Sequence, residues 1–155
     1  MASITESIDV DVPVATAYNQ WTQFEDFPRF MEGVESVSQL DDTRLRWVAE
    51  IGGKRHEWTA EITEQKPDDR VAWRALEGHG NAGVVTFHRR SDNQTRITAQ
   101  IEHEAEGLME SLGSALGADS RRVKGDLQRF KELVESRGVA TGAWRGEVEG
   151  GERIR

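Results

Sequence analysis

The chain has 155 residues, of which 31% are charged and 36% hydrophobic, with a formal net charge of -8 and no cysteine. That length suits a single domain that buries roughly 70% of the surface its unfolded form exposes. The acidity opposes binding to nucleic acid and to anionic membranes, and the lack of cysteine excludes disulfides, thiolate nucleophiles and zinc sites built on sulfur.

The N-terminal stretch MASITESIDVDV has no basic region followed by a long apolar run. Neither a secretory signal nor a membrane span is expected there, and a cytoplasmic location is the expectation. Residues 3 to 12 alternate, with Ile4, Ile8, Val10 and Val12 on one face of a strand; Glu6 interrupts that face. Pro13 then opens a first helix, VATAYNQW. The segment WTQFEDFPRFM follows, with Trp21, Phe24, Phe27 and Phe30 at a strict step of three. Pro28 disfavours helix at Phe27, so two short helices with a break are predicted.

From Val34 to Glu104 the pattern is that of consecutive strands. Gly52-Gly53 fits a two-residue hairpin turn, which pairs Ile51 with Lys54, Ala49 with His56, Trp47 with Trp58 and Leu45 with Ala60. On the opposite face the same register sets Glu50 against Arg55 and Arg44 against Glu61, opposite charges across the ladder. The turn KPDD pairs Gln65 with Arg70, Ile62 with Trp73 and Ala60 with Ala75. A three-residue loop at SDN, with Asn93 in the left-handed position, pairs Phe87 with Ile97, Val85 with Ala99 and Gly83 with Ile101.

From Leu108 to about Glu135 the period becomes helical, with a stripe of Leu108, Leu112, Leu116, Val123, Leu127, Phe130 and Val134 interrupted by Asp119. Gly138 ends it. The expected division is a domain over residues 1–137 and a glycine-rich, loose tail over 138–155. The fold class is α+β: a helix-grip, in which a curved antiparallel sheet wraps around a long C-terminal helix, with two short helices after the first strand.

The inner face of that sheet carries three of the five tryptophans, Trp47, Trp58 and Trp73, with Ala49, Ala60, Ala75, Ala99 and Gly83 between them. Gly113 and Gly117 lie beside the helix stripe. Small residues facing small residues fit a helix lying close on the sheet at ordinary packing density, and they equally fit a cavity floored by the sheet and roofed by the helix. The aromatic segment could anchor the short helices to the core or gate such a cavity.

Taken together, WTQFEDFPRFMEGVESV, the hairpin leading to EWTAEI, the run VAWRALEGHGNAGVVTFHRR and the helix GDLQRFKELVE resemble the polyketide cyclase/dehydrase and coenzyme-Q-binding branch of the START-like superfamily, over roughly Ser3 to Glu135. The resemblance implies the fold and a ligand cavity. The fold hosts cyclases, carriers, hormone binders and a ribosome-associated toxin, so function has to be argued from the site.

A cyclase needs acid/base or polarising groups inside its pocket. The inner face offers His56, and the first helix offers Tyr18; both are weak candidates for catalysis. His56 is also readily explained by a hydrogen bond at a hairpin end, and His79, in EGHGNAG, by a turn. No metal-ligand spacing is found, and no cofactor is expected. The expected ligand-binding set is Trp47, His56, Trp58, Trp73, Val85 and Phe87 from the sheet, Phe27 and Phe30 from the aromatic segment, and Leu108, Leu112, Gly113 and Leu116 from the helix. The partner it implies is a hydrophobic small molecule such as a quinone, lipid or polyketide-like aromatic, with neither nucleic acid nor integral membrane association. An aromatic polyketide cyclase or dehydrase and a ligand-free protein-interaction module are the alternatives.

Overall fold

The computed structural model describes residues 2–51, 53–76, 82–103 and 115–155, without the side chains of Ala2, Ile51, His103 and residues 115–119. Strand β1, Ala2–Val10, leads into helix α1, Val14–Trp21, and a 3-10 helix, Phe24–Arg29. Strands β2 (Val34–Gln39), β3 (Arg44–Ile51), β4 (Lys54–Lys66), β5 (Arg70–Ala75), β6 (Ala82–Ser91) and β7 (Gln94–His103) follow. Helix α2 spans Ala115–Arg137, and two short strands, β8 (Val148–Glu149) and β9 (Glu152–Arg153), close the chain. The main path of the antiparallel sheet is β1-β7-β6-β5-β4-β3-β2. This is the helix-grip.

The break between the short helices falls at Thr22–Gln23, and Pro28 lies inside the 3-10 helix. A 3-10 turn accepts proline there because few of its amides are committed to bonds within the element. Its C-terminal end is closed by the Phe30 amide donating to the Phe27 carbonyl at 3.1 Å.

The β3–β4 hairpin has the register its turn and charges dictate, from Ile51 opposite Lys54 to Arg44 opposite Glu61. Between β4 and β5 the pairs Ala60–Ala75 and Ile62–Trp73 hold, but a bulge between Ile62 and Glu64 then shifts the ladder by one, so that Gln65 faces Val71 and not Arg70. The extra residue turns Gln65 inward, where it is 1% exposed. Between β6 and β7, Phe87–Ile97, Val85–Ala99 and Gly83–Ile101 pair as expected. The loop itself is shorter than expected, with Ser91 opposite Gln94 after a bulge, and Asn93 keeps a negative φ.

Phe130, Leu127 and Val134 of α2 are almost fully buried, a helical stripe that meets the aromatic segment and the sheet. The Phe130 ring centroid lies 5.0 Å from that of Trp21 and 5.1 Å from that of Phe30. Polar bonds fix the same junction: Asp126 accepts the Glu32 amide at 2.9 Å, and Arg129 and Arg122 donate to the Phe30 and Glu32 carbonyls at 2.8 and 2.7 Å. Burial pushes the Asp126 carboxyl above the ordinary aspartate range, and the Glu32 amide and Arg129 pull it the other way.

The segment expected to be a loose tail is seated on the domain. Because β3 begins at Arg44 opposite Glu61, the edge of β4 beyond that point is open, and β8 pairs there with Glu64 and Gln65. Val148 is 1% exposed. Arg145 bridges to Asp68 at 2.8 Å and donates to Asn19 at 2.8 Å, while Thr141 binds Gln20 and Asp26. Gly150 and Gly151, with φ of +62° and +80°, make the turn into β9 that other residues resist. Glycine content therefore marked turns, not looseness. Among the described residues no helix is long and apolar enough to cross a membrane.

Candidate functional site

Alternation along β3, β4 and β5 brings Trp47, Trp58 and Trp73 to the face that meets α2. Trp47 and Trp58 are direct cross-strand partners and stack, with ring centroids 5.7 Å apart and planes within 6°. Trp47 also meets Phe27 at 5.5 Å, which joins the tryptophan pair to the aromatic segment. Its indole nitrogen is buried and has no hydrogen-bond partner among the described residues. Trp73 lies over Gly83: a Cβ at that glycine would stand 2.9 Å from the Trp73 ring and 2.4 Å from the Gln100 carbonyl oxygen. A side chain at Gly83 would collide with both the Gln100 carbonyl and the tryptophan ring.

The expected ligand-binding residues whose side chains are described fall into two groups. Phe27, Phe30, Val85 and Phe87 are buried to 4% exposure or less, in the closed core. Trp47, Trp58, Trp73 and His56 are half-buried. Leu108, Leu112 and Gly113 lie outside the described residues, as does His79, and Leu116 is placed only by its backbone in the first turn of α2. His88 is exposed on the outer face.

The two weak catalytic candidates are not brought together. Tyr18 is fully buried on α1, edge-on to Phe87 at 5.5 Å and beneath Arg145 of the tail at 5.6 Å. Burial pushes its phenol up to about 12; the Gln65 amide and Arg145 pull weakly the other way. Gln65 is near enough to act on the phenol, yet no hydrogen bond of acceptable geometry forms, and the Tyr18 hydroxyl and both Gln65 amide atoms are left without partners among the described residues. His56 stands on the same strand as Gln65, nine positions away, which at about 3.3 Å per residue is on the order of 30 Å along β4. A proton relay between them is out of reach.

Besides Gln65, sequence reasoning missed a second polar group on the inner face. Glu6 of β1 pairs with Ala99, and its carboxylate accepts the Ser120 hydroxyl at 2.6 Å and lies 3.7 Å from the Lys124 ammonium. The signal was present in the sequence, as a charge at an inward position between Ile4 and Ile8. Among the described residues no group of three or more metal-ligating side chains gathers.

An antiparallel sheet gripping a long helix, with partly exposed tryptophans on the gripping face, defines a helix-grip protein. Residues 10–132 match the family model described as polyketide cyclase/dehydrase and lipid transport, so the chain belongs to that family. It is 52% identical over 149 residues to an uncharacterized 17.2 kDa protein of Streptomyces lincolnensis, covering 96% of this chain and 99% of that one. Among solved structures it is similar to a Deinococcus radiodurans protein, with 27% identity, a TM-score of 0.69, and 88% and 99% of the two chains covered. The Zhui aromatase/cyclase from a Streptomyces species shares the fold at 16% identity, with a TM-score of 0.73 over 92% of this chain and 99% of that one.

Proposed function

We propose that the chain binds a hydrophobic small molecule, a quinone, lipid or polyketide-like aromatic, between the tryptophan-bearing part of the sheet and α2. The observation that carries this reading is the partial exposure of Trp47, Trp58 and Trp73 on the inner face, where the neighbouring alanines cannot cover them. Large aromatic rings that face inward and are still incompletely covered are the usual lining of a small-molecule site. Family membership supports the same class of ligand. Cyclase chemistry would call for converging acid/base groups, and Tyr18 of α1 neighbours Gln65, at the opposite end of β4 from His56; binding or carriage is the better-supported reading.

The test is calorimetric titration with naphthoquinone, methylnaphthalene and palmitate, on the native protein and on Trp58→Ala. Binding of at least one probe, weakened about tenfold or more in the variant, is expected. If no probe binds, or if Trp58→Ala binds as well as the native chain, the reading fails.

A further inference from the structure

The alternation of β1 puts Ile4, Glu6, Ile8 and Val10 on the face that meets α2, and the charge among them demands an explanation. Glu6 stands directly opposite Ala99, which is 3% exposed, and its own side chain is 16% exposed. Taking a carboxylate out of water costs several kcal/mol, and a well-packed apolar pair of similar volume commonly holds two elements together as well or better. Anchoring α2 to β1 therefore does not account for a glutamate here.

The hydrogen bonds leave room for another partner. A carboxylate offers about four lone-pair sites. Ser120 donates to Oε2 at 2.6 Å, whereas the Lys124 ammonium is 3.7 Å from Oε1, beyond hydrogen-bond distance, so among the described residues Oε1 keeps its accepting capacity. The position also suits a ligand. Along the sheet itself, the described residues between Glu6 and Trp73 on the inner face are Ala99 and Ile101 of β7 and Gly83 and Val85 of β6, and the Trp73 ring reaches over Gly83.

We propose that Glu6 is the polar recognition residue of the ligand site, its Oε1 accepting a hydrogen bond from a hydroxyl on an otherwise apolar ring system, a phenol or an enol. This rests on the hydrophobic-ligand reading above and sharpens it. Ser120 and Lys124 hold the carboxylate in place, and among the ligand classes proposed above its charge favours a hydroxyl-bearing ring over one that presents carbonyl oxygens alone. Hydrogen bonds to an ionised acceptor are roughly twice as strong as neutral ones, so the discrimination should be about tenfold or more.

The test compares naphthol, methylnaphthalene and naphthoquinone on the native chain, Glu6→Gln and Glu6→Leu, with thermal melts of all three proteins. The native chain is expected to prefer naphthol to methylnaphthalene by about tenfold. That preference shrinks in Glu6→Gln, which keeps the shape and an acceptor, and vanishes in Glu6→Leu, while methylnaphthalene affinity stays within about twofold. Should Glu6→Leu not fold, the Gln variant alone decides. Methylnaphthalene binding with no naphthol preference, or a preference that survives both substitutions, overturns the assignment of Glu6 and leaves the parent reading intact. A purely structural glutamate would shift the melting temperature and all three affinities together, which also overturns it. Failure of all three probes to bind the native chain overturns the parent reading, and this one with it.

Discussion

The inner face of the sheet has two regions built from the same kinds of residue and finished differently. Around α1, the 3-10 helix and the second half of α2, Trp21, Phe24, Phe27, Phe30, Phe87 and Phe130 interlock at centroid distances of 5.0 to 6.5 Å, each 6% exposed or less. Around Trp47, Trp58 and Trp73 the rings are set among alanines and remain half-buried. Aromatic content alone does not mark a binding site; what distinguishes the regions is whether neighbouring side chains are large enough to close over the rings.

The hardest test of that contrast is to truncate one ring on the closed side. Phe130→Ala removes a side chain that is 0% exposed and meets both Trp21 and Phe30, and is expected to cost about 3–5 kcal/mol in urea unfolding. Trp58→Ala, with its ring only partly buried, is expected to cost less, about 2–3 kcal/mol, while losing ligand affinity. Equal costs, with binding unchanged by either, would erase the distinction between the regions.

The tail sharpens the comparison from a third side, because it closes the far end of β4, where β8 pairs with Glu64 and Gln65. Deleting residues 139–155 removes Val148 from its buried position and reopens the β4 edge at Glu64 and Gln65. Burying a valine is worth roughly 1.5–3 kcal/mol, and ordering the tail offsets part of that. A net loss of about 1–2 kcal/mol is expected, seen as a melting temperature lower by several degrees, with probe affinity unchanged. Lost affinity in a truncated but folded chain would mean that the tail belongs to the site.

Much of this architecture could be read from the sequence where two independent signals agreed. Gly52-Gly53 and the charge pairs Glu50–Arg55 and Arg44–Glu61 called for one register, and the hairpin has it. The bulge at Thr63 had no such second signal: a one-residue insertion reverses which face Gln65 takes without altering local composition, so its burial was invisible. The tail was misread because glycine frequency reports turns and flexibility alike, and only the open β4 edge, a tertiary fact, decides between them. Glu6 was visible as a break in the apolar pattern, but its partners Ser120 and Lys124 lie 114 and 118 positions away, and pairing at that range follows from topology.

The smallest effect concerns how the closed region is tied to α2. Asp126 sits at the junction with the loop after the 3-10 helix, accepting from the Glu32 amide and Arg129, with Arg122 and the Glu32 carboxylate nearby. Burial outweighs these donors and raises its folded-state pKa above the ordinary 3.8, so between the unfolded and folded values the folded chain holds the proton more tightly. The group's contribution to stability is then greatest below the unfolded value and declines as pH rises through the folded one. Asp126→Asn keeps an acceptor for the Glu32 amide and removes the titration. The difference in unfolding free energy, native minus variant, is therefore expected to fall as pH rises from about 3 toward neutrality and then to level off. A difference that instead grows with pH would mean that Arg129 and Arg122 outweigh burial, making the junction a net favourable ion-pair network. In that case the closed region would owe its tight seam to charge as well as to its aromatic rings.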